Sequence, residues 1–168
     1  MPVVFYSGVT VVTEGKVNTI EKVVDILRGF PEIPYEFRED AIRALKRSEN
    51  GYEVALLIQP HGYTVCLATW HKEFGAEYDA VGTFFAGLTD QYRLEVSSRG
   101  NVDYRWRIQY REFNDWTNGS VVGVFSYPFW KRKLVRYLQN DWLSLSHMSD
   151  IAKSYYPAPE MNSNQKPN

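Results

Sequence analysis

Cysteine is nearly missing from this chain. Cys66 stands alone among 168 residues, which excludes an intrachain disulfide and makes a reducing compartment the simpler expectation. Long apolar runs are missing too. No stretch approaches the ~18 uncharged apolar residues of a membrane span, and Met1 to Gly8 lack the basic segment and apolar core of a secretory signal. These absences predict a soluble, unprocessed, cytoplasmic protein without a membrane partner. Net charge is almost absent as well, at −1 with a pI of about 6.3. Dedicated nucleic-acid binders are far more basic, so nucleic acid ranks below protein as a partner.

The small net charge conceals an asymmetry. Residues 1–90 hold 8 Lys/Arg against 13 Asp/Glu, and residues 91–168 hold 11 against 7. The two parts carry −5 and +4, a polarity that can orient a charged partner or a second copy in a homodimer.

Catalytic fingerprints are also lacking. There is no phosphate loop, dinucleotide fingerprint, nucleophile elbow or His-Glu-x-x-His. Of the histidines His61, His71 and His147, only His71 has an acidic neighbour at same-side spacing on an extended segment, Glu73, and one such pair is a weak metal signal. Cys66 lies mid-strand, where a thiol serves as a small hydrophobe. The sequence therefore assigns no catalytic residue, metal or cofactor. An enzyme whose site is dispersed along the chain stays open as an alternative.

What is present is a globular composition, 44% hydrophobic and 15% aromatic with 23% charged residues. It suits a single α+β domain over residues 1–145, followed by a flexible polar tail over 146–168 that carries Pro157, Pro159 and Pro167. The β-branched run at residues 3–13 reads as a strand broken near Gly8. Asn18 and Glu21 form a capping pair before the stripe Ile20, Val23, Val24, Leu27, which gives a helix over 19–28.

Pro34, with Glu36, Glu39 and Asp40 early and Arg43, Lys46 and Arg47 late, predicts a second helix ending at Asn50-Gly51. Residues 52–70 read as a hairpin with a His61-Gly62 turn, pairing Val54, Leu56 and Ile58 with Thr69, Leu67 and Val65. Its other face, Ala55, Leu57, Cys66 and Ala68, is also apolar and asks for cover. Helical spacing returns over 76–90 with Tyr78, Val81, Phe85 and Leu88. Strands follow at 92–98 and 120–127, with turns at Arg99-Gly100-Asn101 and at Trp116 to Gly119. Residues 130–142 fit a helix, with a strand over 134–138 as the alternative. The expected fold is a curved antiparallel sheet of about five to six strands against two N-terminal helices, a middle helix and a C-terminal helix.

One stretch fixes the sheet's direction. From Asp103 to Arg111, Tyr104, Trp106, Ile108 and Tyr110 alternate with Arg105, Arg107, Gln109 and Arg111, so one face is aromatic and the other cationic. With Trp116 at the rim and Lys131, Arg132, Lys133 and Arg136 beyond the next strand, these arginines form a candidate site for an acidic protein partner. The expectation is a non-enzymatic binding or regulatory module. A purely structural role is the competing reading, in which Glu95 neutralises Arg105 and Glu112 offsets its neighbours.

The order strand, two helices, several antiparallel strands and a last helix resembles the helix-grip proteins, the lipid-transfer and pollen-allergen-like binders of small ligands. That resemblance lies in element order and carries no motif. It implies an apolar cavity under the C-terminal helix, lined by Trp106, Tyr110, Phe125, Trp130 and Tyr137.

Overall fold

The structure, a computed structural model, describes residues 14–155. The strand expected over 3–13 lies outside that range, as do the residues after 155. Helix α1 (Glu14–Leu27) buries Ile20, Val23, Val24 and Leu27 as one stripe, as the spacing predicts. It begins at Glu14, so Asn18 lies within the helix rather than capping it.

After Pro34 the chain makes a hairpin, β1 (Tyr35–Arg38) and β2 (Ala41–Ala44), where a second helix was expected. Pairing overrides local propensity here. β2 adds to β3 (Val54–Gln59), which buries Ile42 and Ala44 at alternate positions, a strand period. The charges that suited a helix dipole instead bridge strands: Arg43 meets Glu36 at 2.6 Å and Glu53 at 3.5 Å.

The expected hairpin at 52–70 forms from β3 and β4 (Gly62–Leu67), and β5 (Trp70–Phe74) completes a meander ordered β1-β2-β3-β4-β5. Its register pairs Val54 with Leu67, Leu56 with Val65 and Ile58 with Tyr63. The turn is Pro60-His61, so the pairing slips by two residues and keeps the expected faces. Gly62 belongs to the strand because a Cβ there would collide with the carbonyl oxygen of Phe74 on β5.

Helix α2 (Glu77–Ala86) lies where the spacing predicts and buries Ala80, Val81, Phe84 and Phe85. Tyr78 is the exception to the stripe, since it faces solvent. A second sheet follows, from β6 (Tyr92–Arg99), β7 (Val102–Glu112), β8 (Asp115–Gly123) and β9 (Lys133–Gln139), ordered β8-β7-β6-β9. The fold is thus α+β, with two antiparallel sheets rather than one curved sheet and three helices among the described residues.

Residues 133–139 are an edge strand on β6, so the C-terminal helix expected over 130–142 is replaced by the strand alternative. The last helix comes later, as α3 (Leu145–Tyr155), with Ile151 and Tyr155 buried. This helix occupies residues 146–155, where a flexible tail was expected; the rest of that expected tail lies outside the described residues. Without the second helix, with two sheets and with a strand at 133–139, the helix-grip element order does not hold.

Polar bonds tie the two sheets and their flanking loops together. Trp70 Nε1 on β5 donates to Ser120 Oγ on β8 at 3.2 Å, and buried Asn140, just after β9, reaches Tyr52 and Gly87. The inner faces of both sheets share one core with α1, α2 and α3, including Leu56, Val65, Phe84, Leu94, Val96 and Trp106.

The β7–β8 turn sits at Phe113-Asn114, not at Trp116 to Gly119. Phe113 takes a positive φ of 54° and is fully exposed. A bulky residue in the left-handed region costs about 1–2 kcal/mol relative to glycine. Phe113→Gly should therefore raise stability by roughly 1 kcal/mol, less what glycine adds to the unfolded chain's entropy. Urea unfolding monitored by circular dichroism would check it, and a lowered midpoint would contradict the strain argument.

Candidate functional site

β7 has the two faces its alternation predicts. Trp106 and Ile108 are buried in the core, opposite Val96 and Leu94 of β6. Arg105, Arg107, Gln109 and Arg111 occupy the other face, and among the described residues no helix packs closely on this sheet's strands. Register brings neighbours to them from three strands: Arg93, Glu95 and Ser97 from β6, Trp116, Asn118 and Val121 from β8, and Val135 and Tyr137 from β9.

The centre of this face is Arg93, which alternation turned outward beside the inward Tyr92 and Leu94 but whose importance the sequence did not reveal. Its guanidinium carbon lies 4.1 Å from the Trp116 ring centre and 4.2 Å from that of Tyr137. Both distances are within cation–π range, so rings from two non-adjacent strands clamp the side chain. Arg93 Nε donates to Gln109 Oε1 at 2.7 Å, and Gln109 Nε2 donates to Asn118 Oδ1 at 2.7 Å. Arg107 Nη1 adds a 3.3 Å bond to the same Asn118 oxygen. Burial lowers the Arg93 pKa, with Tyr137 and Glu95 opposing that shift. An arginine still stays cationic at neutral pH.

Charge pairing differs from the sequence expectation. A two-residue Gly100-Asn101 turn and a bulge at Ser97/Ser98 set Glu95 against Arg107 instead of Arg105. The Arg107–Glu95 pair spans 3.7 Å with both side chains mostly buried, and Arg111 approaches Asp90 at 3.7 Å. Arg111 also flanks Trp116, at 5.6 Å. Arg105 has no carboxylate within ion-pair distance among the described residues, which reverses the expected order of compensation.

Of the remaining basic candidates, Arg136 leaves this face: it lies opposite Val96 and makes a bidentate pair with Asp103, both bonds 2.6 Å. Lys133 starts β9 opposite Arg99, while Lys131 and Arg132 belong to the β8–β9 connection. Thus Arg105, Arg107, Arg111 and Trp116 share one face, and the other four basic residues are spread around it.

The five rings proposed to line a cavity do not converge. Trp106 is buried, Tyr110 is half-buried, Tyr137 lies on the opposite sheet face, and Phe125 and Trp130 project into solvent. Concavities occur elsewhere. A groove of about 210 Å³ lies on the outer face of the first sheet, lined by Phe37, Ala55, Leu57, Cys66 and Ala68, so among the described residues the second apolar hairpin face is grooved. A cleft of about 410 Å³ separates α2 from α3, with Val81, Phe85, Tyr92 and Ile151 in its walls.

The ionisable groups in these walls include Lys72, Asp79 and Tyr155 in the cleft and Glu36, Arg43, Glu53 and Cys66 in the groove, and a third concavity of about 450 Å³ at the β3–β4 turn has His61 and Glu73 in its lining. Burial pushes the Cys66 thiol pKa up, away from the thiolate that a nucleophile needs. His61 sits in a turn, His71 approaches its near neighbour Thr69 O, and His147 Nδ1 accepts from the Ser144 N–H. Among the described residues, no group of three or more His, Cys, Asp or Glu could hold a metal ion.

Fold and surface together define, among the described residues, an α+β protein with two antiparallel sheets and an arginine–aromatic face on the second. No family model, curated protein or solved structure matches the chain.

Proposed function

We propose that this protein is a non-enzymatic binding module that engages an acidic protein partner through the outer face of the second sheet. The carrying observation is Arg93 fixed between Trp116 and Tyr137, with Arg105, Arg107 and Arg111 around it. Interfaces concentrate their binding energy in Trp, Tyr and Arg. Fixing such side chains before encounter reduces the ordering cost of association.

Surface chemistry supports an acidic partner. Four arginines share the face, against Glu95 and the flanking Asp90, and Val121, Val135 and Tyr137 are exposed apolar surface beside them. Carboxylates of a partner can take arginine forks bidentately while its apolar groups cover the rings.

The test replaces Arg105, Arg107 and Arg111 with Ser and compares proteins retained from lysate by variant and wild type. A partner held by wild type should be lost by the folded variant, and its retention should weaken as salt rises. Retention undiminished in a folded variant would overturn the proposal.

A further inference from the structure

The connection from β8 to β9 joins the two opposite edges of the second sheet, so residues 124–132 must pass across the end where the β6–β7 hairpin turns. It carries Phe125, Tyr127, Phe129 and Trp130, then Lys131 and Arg132, with Lys133 opening β9. Phe125 is 102% exposed, Phe129 72% and Trp130 70%. Rings left this far in water are uncommon when the fold could have buried them, and they mark surfaces that meet another apolar phase.

The segment is held at its base. The Val124 N–H donates to Tyr104 O at 2.9 Å, and Tyr127 stacks on Tyr104 with centroids 4.1 Å apart. Arg99 Nη1 donates to Phe129 O at 2.8 Å and to Lys131 O at 2.7 Å, while Lys131 N–H closes a turn onto Pro128 O at 3.0 Å. Phe129 and Trp130 pack edge to face at 5.1 Å. Arg99 and Tyr104 thus fix the backbone, and three rings are presented outward.

Charge identifies the occupant. From Trp116 to Asn140 the sequence contains Lys131, Arg132, Lys133 and Arg136 and no acidic residue. Arg136 is neutralised by Asp103, whereas Lys131, Arg132 and Lys133 are exposed and have no carboxylate within ion-pair distance among the described residues. Projecting Phe and Trp side chains beside uncompensated Lys and Arg match the two components of a membrane interface, an apolar boundary under anionic headgroups. A protein interface would instead favour a broad patch with an apolar centre and a polar rim. Here Lys131, Arg132 and Lys133 follow directly on Phe129 and Trp130 in the chain, so cations adjoin the rings without an acidic residue between them.

We propose that residues 124–132 are an interfacial anchor: Phe125, Phe129 and Trp130 insert at the headgroup boundary of an anionic bilayer, and Lys131, Arg132 and Lys133 hold its phosphates and carboxylates. No crossing of the membrane is involved, and no helix among the described residues is long and apolar enough for one. The inference does not depend on the sheet-face reading, because it uses other residues and another partner.

Vesicle co-sedimentation tests it, using full-length protein with phosphatidylcholine vesicles that contain or lack phosphatidylserine. Wild type should bind the anionic vesicles, and high salt should release it. Changing Lys131, Arg132 and Lys133 together to Gln should weaken binding on the order of a hundredfold. Changing Phe125, Phe129 and Trp130 together to Ser should remove binding, and because these rings are exposed both variants should keep the wild-type circular dichroism. Brominated lipids should quench a part of the fluorescence that Trp130→Phe no longer shows. Failure of folded wild type to bind, equal binding to both vesicle types, or full binding by the ring variant would each overturn the proposal. Loss of a lysate protein by the ring variant, with vesicles ignored by wild type, would overturn it in favour of a protein-docking arm.

Discussion

Trp70→Ala should lower stability by about 4 kcal/mol, within the range for truncating a buried tryptophan. Trp70 opens β5 and is 2% exposed, the largest side chain in the deeply buried part of the core. Its removal leaves a cavity that close-packed neighbours can fill only partly. It also deletes the 3.2 Å bond to Ser120, one of the polar joints between the two sheets. Trp70→Phe separates these causes: it retains most of the ring volume and loses the N–H donor, and should cost less than half as much. Urea unfolding followed by far-ultraviolet circular dichroism would measure both. Equal losses for the two variants would contradict the packing argument.

Asn140→Ala should cost about 3 kcal/mol, although the residue is polar and has no apolar area to lose. Asn140 is 2% exposed and makes three bonds with its amide: Tyr52 N–H donates to Oδ1 at 3.1 Å, and Nδ2 donates to Tyr52 O at 3.0 Å and Gly87 O at 2.9 Å. It thereby ties the exit of β9 to the loop before β3 and to the end of α2. Truncation leaves one buried donor and two acceptors without that partner, and each buried unmet group carries a penalty of roughly 1–3 kcal/mol before water compensates. Asn140→Asp should be worse at neutral pH, since it removes the amide donors and brings a charge into a buried site. Desolvation holds such a carboxyl above its unfolded pKa, so the deficit should shrink as pH falls and grow as pH rises. An Asp variant unaffected by pH would contradict burial of that carboxyl.

These two residues mark where local sequence pattern stops being informative. Long periodic stretches, such as Ile20 to Leu27 and Trp106 with Ile108, disclosed their faces because each pattern requires only its own element. Trp70 and Asn140 act through partners far along the chain, Ser120 and Tyr52, so no local pattern announces them.

Glycine was misleading for the same reason. Gly62 and Gly119 read as turn residues, yet both sit within strands at close approaches. A Cβ at Gly62 would strike Phe74 O, and one at Gly119 would lie 2.7 Å from Ile108 Cγ2. Residues 34–50 carried helix-like charge order, but the cross-strand partner of Arg43 proved to be Glu36. Only the tertiary pairing distinguishes those readings.

The candidate face was legible in part. Alternation located Arg105, Arg107 and Arg111 on one side, and Trp116 was identified as its rim. The central Arg93 was missed because its two rings arrive from β8 and β9, strands that are not neighbours in the sheet. Its outward position beside Leu94 was the available signal. The expected cavity fails because Phe125 and Trp130, which the helix-grip resemblance placed in its lining, lie exposed on a connection that spans the sheet's end.

The most direct test of the binding proposal is the affinity of Arg93→Lys for the acidic partner retained by wild type. Lysine keeps the charge but cannot supply a planar guanidinium to both Trp116 and Tyr137 and the bond to Gln109. The account predicts at least a tenfold loss of affinity, about 1.4 kcal/mol, in a variant that remains folded. Wild-type affinity in folded Arg93→Lys would contradict it.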